Sequence, residues 1–430
     1  MAYAEKVYKV RNGRQTKQYT WRARYKKPDG TWGSEPGFPT KRIAEDWGDS
    51  QEAAIREGRW VDPDLMRKHF GVWAREWMAV QKPRGRTTMN RWERLEAHIL
   101  PKWEHTPLIS FNWFDVEAWA RTLGCAPRTT RECVQLISRI LTGAVDAKHL
   151  LVNSLYGRRL TGLSGAEQTS PPDIVARDGN EDEDDSIIAT PEEVLLLARR
   201  LGPVVGLQIL TFAWSGPRYE ENAGLRRPNV LRRRRQKYDG GVFECAVIRV
   251  EKDTGALAEY YVRDEDGRRR CYRALEPPKN PTSVRDIDVP PFLEKLWLKF
   301  LESWPHEHVG TTPTGKLWWR SHWHSVLRPA ADGRDARPKA RGRAVKEEWK
   351  PIKPGLTARD LRKTHDSWQE EIGVHPVLAY EQMGHKYPGI KGTYRRPTPA
   401  MRKHRLDGLQ QLFERAMANL GWTEIWPEAG

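Results

Sequence analysis

Cysteine is scarce in this sequence and never paired. The four present in 430 residues are Cys125, Cys133, Cys245 and Cys271, and none belongs to a C-x-x-C motif. A structural zinc site is therefore not expected, and reduced, partly buried thiols are. Long hydrophobic runs are missing too. None approaches the roughly 18 apolar residues that a membrane-spanning helix needs. The opening MAYAEKVYKVRNG lacks the apolar core of a signal peptide. These absences argue for a cytoplasmic protein with no membrane partner. No internal repeat is visible, and there is no excess of acid. The balance runs the other way, with 73 Lys and Arg against 57 Asp and Glu, a formal net charge of +16. Such a chain attracts polyanions, of which nucleic acid is the commonest for a protein without membrane segments. The 20 Trp residues recur mostly at helical or strand spacing and point to cores, with some free to stack on sugar or base.

The chain is too long for one ordinary domain. Residues 1–66 read as a small basic unit of strands followed by a helix. In Tyr19-Thr-Trp-Arg-Ala-Arg-Tyr25 large apolar residues alternate with polar ones, as in a half-buried strand. Pro28-Asp29-Gly30 supplies a turn, and Thr31 begins the return. Thr40 is placed to cap a helix running to about Glu57, with Gly58 beyond it. Arg22, Arg24 and Lys26 share one strand face. That face either enters a DNA groove or is simply solvated.

Residues 67–156 carry no strand pattern. Four helical stretches are expected, near His69–Val80, at Arg86–Leu100 closed by Pro101, near Trp113–Leu123, and from Pro127 to about Lys148. Thr87 and Thr129 look like helix-start residues. Arg86 and Arg128 beside these starts suit phosphates, although each arginine alone reads equally as a surface residue. Residues 157–187 form a linker ending in an acidic run, which has no apolar period to pack. Thr190-Pro-Glu-Glu-Val194 is a strong helix start. From there the segment 188–430 mixes helices with a β-rich middle at about 242–290.

Four local motifs fall in this last segment. They are Trp214-Ser-Gly-Pro-Arg218-Tyr-Glu-Glu221, Pro278-Lys279-Asn-Pro-Thr-Ser283-Val-Arg285, Arg359-Asp-Leu-Arg362-Lys-Thr-His365, and Gly384-His385 followed nine residues later by Tyr394. Together, in this order, they resemble the tyrosine recombinase (phage integrase) family, in particular integrases of actinobacterial phages and integrative elements. The resemblance implies a fold that is mainly α with small antiparallel β parts. It divides the chain into an arm-type DNA-binding domain of sheet plus helix (1–66), a helical, SAM-like core-binding domain (67–156), a linker (157–187), and a mixed α+β catalytic domain with a C-terminal tail (188–430). The last two folded parts would clamp duplex DNA.

The same resemblance assigns roles. Tyr394 would attack a backbone phosphorus and form a 3′-phosphotyrosine. Arg218 and Arg362 would hold the non-bridging oxygens, where charge grows as a fifth ligand enters. Lys279 would protonate the leaving 5′ oxygen. His385 would bond the phosphate, and Glu221 would support the basic residues. Integration or excision of a mobile element needs no cofactor or metal, because the bond energy stays in the phosphotyrosine. The implied partners are double-stranded attachment sites, other copies of the chain in a tetramer on DNA, and a small excision factor. Met401–Leu420 reads as an amphipathic helix. In the family such a tail docks on a neighbouring subunit; packing on its own domain is the alternative.

One position departs from the family. Its third motif usually reads His-x-x-Arg, whereas Arg359 occupies the histidine position here. Arginine stays charged and is no ordinary base, which leaves water or His365 as acceptors of the Tyr394 proton. Arg359 supports a second reading, a catalytically silent DNA-binding member of the fold. A third, a type IB topoisomerase-like relaxing enzyme, shares the chemistry, but the N-terminal arm-binding unit argues against it. Tyr387, two residues past His385, is a competing nucleophile at the wrong spacing. Gly310-Thr-Thr-Pro-Thr-Gly315-Lys316 mimics a phosphate loop, but Leu317 stands where a Ser or Thr would hold magnesium. His306, His308, His322 and His324 lack the carboxylate or Cys companions of a metal site. The basic run Arg334–Lys346 reads as a loop that tracks phosphates without reading sequence.

Overall fold

A computed structural model describes residues 2–162, 187–238, 241–264, 266, 268–339, 344–388 and 396–427. The chain separates into two compact units, Met1–Asn180 and Glu181–Gly430.

The first unit opens with an antiparallel sheet of β1 (Tyr3–Arg11), β2 (Arg14–Lys26) and β3 (Trp32–Phe38), in that order. Asn12 and Gly13 both take positive φ, 50° and 74°. That matches the primed two-residue turns whose twist suits a hairpin. Helix α1 (Lys41–Arg56) follows, capped by the Thr40 side chain on the Ile43 amide. The sheet's inner face buries Ala23 and Tyr25, with Tyr25 edge-on to Trp47 and Trp60.

A short α2 (Pro63–Met66) leads into α3 (Phe70–Val80), α4 (Gly85–Arg94), a π-helical turn (Leu95–Ile99), α5 (Leu100–Trp103), α6 (Trp113–Thr122) and α7 (Pro127–Asp146). Their apolar faces meet around Phe70, Trp73, Ile99, Trp103, Ile137 and Ile140. Gly143 lets α3 approach α7, because a Cβ there would lie 2.3 Å from Trp77 Nε1.

Two local expectations fail in this unit. Pro101 does not close its helix. The helix instead runs on past Pro101 to Trp103, with a π-helical turn at Leu95–Ile99 directly before it, the kind of local widening that accommodates a proline. Nor do Thr87 and Thr129 cap. The helices start earlier, after Arg84 and Ala126, and Pro127 with its fixed φ begins α7.

In the second unit, α8 (Pro191–Ser215) starts with the expected capping box between Thr190 and Glu193. It is the one helix among the described residues long and apolar enough to cross a membrane. Here it is kinked at Gly202-Pro203 and lies in the core. After α9 (Tyr219–Ala223) come β4 (Arg232–Tyr238), β5 (Gly241–Val250), β6 (Ala256–Arg263), β7 (Arg269–Glu276) and β8 (Arg285–Val289). The sheet order is β4-β5-β8, all antiparallel, while among the described residues β6 and β7 pair only with each other. Lys279 therefore sits in the bend between two sheets rather than on a sheet.

Helices α10 (Pro291–Ser303), α11 (Arg320–Asp332), α12 (Ala358–Glu371), α13 (Pro376–Met383) and α14 (Pro399–Asn419) complete the unit. Trp214, Trp297, Trp318, Trp323 and Trp368 are fully buried, so these tryptophans serve the core. The C-terminal helix α14 packs on its own unit, burying Leu406, Leu409, Ala416 and Met417. Beyond it, Ile425 is buried and Arg199 stacks 3.3 Å from the Trp422 ring centre. In the isolated chain the tail's described apolar residues pack on their own unit, the alternative reading of this helix.

Candidate active site

Helix α8 ends at Gly216, whose left-handed φ of 69° turns the chain sharply. A Cβ there would lie 2.5 Å from His365 Cδ2, so only glycine allows this approach. The turn delivers Arg218 to the start of α9. Glu221, one turn on, accepts from the Arg218 amide at 2.8 Å and from Arg218 Nη1 at 2.9 Å.

Glu221 is buried and has a second partner. Arg285, at the start of β8, donates Nη1 and Nη2 to its two oxygens, both at 3.0 Å. Burial alone would raise the Glu221 carboxyl. The opposing charges of Arg285, Arg362 and Arg218 override it and hold the group at about 2. Arg362 projects from α12, whose first turn is fixed by a Thr357–Asp360 capping box. Burial, with like charge from Arg218 and Arg285, pushes its guanidinium down to about 9, so it stays charged at neutral pH.

Three guanidiniums thus surround one carboxylate, a local excess of two positive charges. The end of α13 holds them. Its last carbonyls have no partner within the helix and carry the negative end of its dipole. Gln382 O accepts Arg285 Nε at 2.7 Å, Met383 O accepts Arg362 Nη2, and Gly384 O accepts Arg218 Nη2 at 3.4 Å. Arg362 Nη1 also donates to Gly216 O. Gly384, at φ 64°, then directs the chain to His385.

His385 Nε2 lies 3.4 Å from Arg362 Nη2. A guanidinium only donates, so Nε2 accepts and Nδ1 carries the proton. Desolvation first, then Arg362, Arg218 and Arg285, push this imidazole down to about 4. It is neutral at pH 7, with its ring edge against Arg362.

Lys279 is exposed, preceded by buried Pro278. Its loop is tethered to the same cluster. Ser283 Oγ accepts from Arg218 Nη1 at 3.0 Å, and Thr282 Oγ1 donates to Gly384 O at 3.2 Å. Arg359 lies exposed in the first turn of α12, three residues before Arg362, so it falls on the same side of the helix. Tyr394 and Arg395 lie outside the described residues. Tyr387 packs edge-on to Tyr380, 5.1 Å between centroids.

The suggestion that His365 takes a proton fails. The ring is fully buried and its Nδ1 bonds Ala213 O at 3.1 Å. Burial, with like charge from Arg405 and Arg362, pushes it down to about 3. It is a neutral packing residue beneath Gly216. Arg285 and Ser283, by contrast, stand in the Lys279 motif with no role assigned by sequence, and both belong to the cluster. The Gly310–Lys316 loop is no phosphate cradle. Thr311 pairs with Leu317, and Gly310 presses on α9, where a Cβ would meet Asn222 O at 1.7 Å.

The DNA-contact candidates Arg22, Arg24, Lys26, Arg86 and Arg128 all lie in the first unit. Arg22 and Arg24 both bond Glu5 Oε1 across the sheet, at 3.2 and 3.0 Å. Lys26 and Arg86 are exposed, and Arg128 bonds Glu132 at 3.2 Å.

No family model and no curated protein matches this chain. Among solved structures it is similar to the Tn1549 transposon integrase in complex with transposon right end DNA. The TM-score is 0.49 at 14% identity, covering 81% of this chain and 99% of that one. It is also similar to a lambda integrase tetramer bound to a Holliday junction. There the TM-score is 0.45 at 14% identity, covering 87% of this chain and 92% of that one.

Proposed function

We propose that this chain is a site-specific tyrosine recombinase, an integrase that cleaves and rejoins double-stranded DNA through a 3′-phosphotyrosine on Tyr394. The observation that carries the reading is that Arg218, Arg362 and Arg285, from three separate elements, gather around one buried carboxylate, Glu221, with His385 beside Arg362. A cluster with a surplus of positive charge and a neutral imidazole N–H suits a phosphodiester whose non-bridging oxygens gain charge in the transition state.

The reaction follows from these groups. Arg218 and Arg362 hold the two non-bridging oxygens, and His385 donates a ring N–H to one of them. The Tyr394 phenol gives its proton to water and its oxygen bonds to phosphorus while the bond to the 5′ oxygen breaks, and Lys279 gives that oxygen its proton. The reverse sequence, with a 5′ hydroxyl from another strand, rejoins DNA. Arg359 stays charged and stabilises the phenolate or the phosphate rather than accepting a proton. Attachment-site DNA, three further copies of the chain and a small excision factor are the partners this reading implies.

A nicked suicide substrate tests it, because the short fragment carrying the freed 5′ hydroxyl diffuses away and traps the adduct. Wild-type protein should yield a covalent protein–DNA complex that Tyr394→Phe abolishes. If no adduct forms although DNA binds, the chain is a silent DNA-binding relative. If it relaxes plasmid that has no attachment site, the topoisomerase-like reading holds instead.

A further inference from the structure

One side chain outside the phosphate cluster ties together both flanks of the segment that contains Tyr394. Asp288, on β8, has no exposed surface. Its Oδ1 accepts from Arg234 Nε of β4 at 2.7 Å. Its Oδ2 accepts from Arg402 Nη1 at 3.0 Å and from Arg405 Nη2. Arg402 and Arg405 belong to α14, on the C-terminal side of Tyr394. Both also reach α13, on the N-terminal side. Arg402 Nη2 donates to Glu381 Oε1 at 2.7 Å, and Arg405 Nη1 lies 3.4 Å from Leu378 O.

The main chain of Asp288 grips the same helix. Its amide donates to Gln382 Oε1 at 3.1 Å, and its carbonyl accepts from Gln382 Nε2 at 3.0 Å. Gln382 is followed directly by Met383 and Gly384, whose carbonyls hold Arg362 and Arg218. So one residue is bonded to the end of α13 and to the start of α14.

Stability alone is a weak reason for this arrangement. A buried carboxylate facing three guanidiniums is expensive to desolvate, and well-packed apolar residues usually serve a core as well or better. What such a network supplies is a fixed geometry. Each guanidinium admits only a few directions, and a fully bonded carboxylate allows little play.

We infer that Asp288 is a positioning residue for Tyr394. Through Arg402, Arg405 and Gln382 it sets the placement of both ends of the tyrosine-bearing segment relative to the phosphate cluster. This rests on the recombinase reading of the site. A misplacement of about 1 Å in a reacting group costs on the order of a hundredfold in rate.

The test compares two nucleophiles in the full-length protein. In the first arm, Asp288→Asn is assayed for covalent adduct on the suicide substrate. In the second, hydrogen peroxide replaces the phenol in Tyr394→Phe protein. Hydroperoxide anion bonds to phosphorus, the bond to the 5′ oxygen breaks, and that oxygen takes its proton from Lys279. This reaction needs the cluster but not the placement of Tyr394.

The expected result is adduct formation slowed roughly tenfold to a hundredfold by Asp288→Asn, with peroxide cleavage equal in Tyr394→Phe and in Tyr394→Phe/Asp288→Asn. Wild-type adduct formation in Asp288→Asn overturns the inference. So does equal loss in both arms, which would make Asp288 a support of the cluster or the fold. If Asp288→Asn does not melt cooperatively, Glu381→Gln and Arg402→Lys replace it, with the same two outcomes. Failure of wild-type protein to form a Tyr394-dependent adduct is a separate result, and it overturns the recombinase reading itself.

Discussion

Glu221 binds Arg285 through both carboxylate oxygens, at 3.0 Å each, and shares one of them with Arg218 at 2.9 Å. One acid therefore orients two guanidiniums, and in one of them, Arg285, every nitrogen bonds a protein partner. Removing Arg285 leaves a buried carboxylate with a single side-chain partner. Arg285→Met should lower stability by about 3–5 kcal/mol, the usual cost of breaking a buried pair from one side. Adduct formation should fall with it, since Arg218 loses its brace. Urea titration followed by tryptophan fluorescence, alongside the suicide-substrate assay, reads both effects.

Acid should destabilise the second unit well before ordinary carboxylates titrate. His365 is pushed down to about 3 and His385 to about 4, chiefly by burial. In the unfolded chain both take up a proton near pH 6.5. Below that pH the unfolded state binds more protons, so stability falls as pH drops from 6.5 toward 3. For fully buried His365 the limiting slope is about 1.4 kcal/mol per pH unit. Glu221 acts in the same direction lower down, its contribution being lost from about pH 4.5 toward 2. Urea midpoints should be flat above pH 7 and decline below it, and His365→Asn should flatten the first part of that decline.

Gly384 is fixed by two requirements at once. Its φ is 64°, and an added Cβ would lie 2.9 Å from Arg285 Nη1 and 3.0 Å from Arg285 Cζ. Arg285 cannot swing away while it holds Glu221. Gly384→Ala should therefore combine roughly 1 kcal/mol of backbone strain with displacement of the guanidinium. Adduct formation is expected to fall roughly tenfold or more, because the Gly384 carbonyl that meets Arg218 moves as well. Gel quantitation of the trapped complex checks this.

Much of the fold can be read from residue order. The Thr40 and Thr190 caps, the strand at Tyr19–Tyr25 and the four helical stretches of 67–156 each depend on neighbours in sequence, and each is found within a few residues. Two strands are hard to read, for different reasons. β1 is announced by Asn12-Gly13, but its own alternation is weak. β4 is a run of four arginines, and only tertiary partners such as Asp288, Glu244 and Glu294 make that run a strand. The cluster's main residues are legible because each sits in a local motif. Arg285, Ser283, Asp288 and Gln382 are not, since their roles come from bonds that span 64 to 117 residues of chain. The cis packing of α14 is equally hidden, because an amphipathic helix does not say whose core it covers.

On the outer face of the first sheet, Arg22 and Arg24 both spend hydrogen bonds on Glu5. If this face binds DNA, Glu5 competes with phosphate for them. Glu5→Gln should then tighten DNA binding and steepen its salt dependence, by up to about 0.9 in the log–log slope for each additional phosphate neutralised. Arg24→Ala should do the reverse. Filter binding at several salt concentrations separates the two, and no change in either variant would remove this face from the interface.

Arg359 offers a test that depends only on pH. Exposed on α12 beside Arg362, it keeps its charge through any working pH. The wild-type rate of adduct formation should therefore show no acid limb near 6.5 from this position. Arg359→His places there a group that titrates near 6.5. If the position acts through charge, Arg359→His should be fastest below pH 6 and slow down as the imidazole deprotonates. If a histidine at this position acts as a base, the variant should instead speed up through the same range. Arg359→Ala should be slow at every pH, and a wild-type rate in that variant would show that the position takes no part in activating Tyr394.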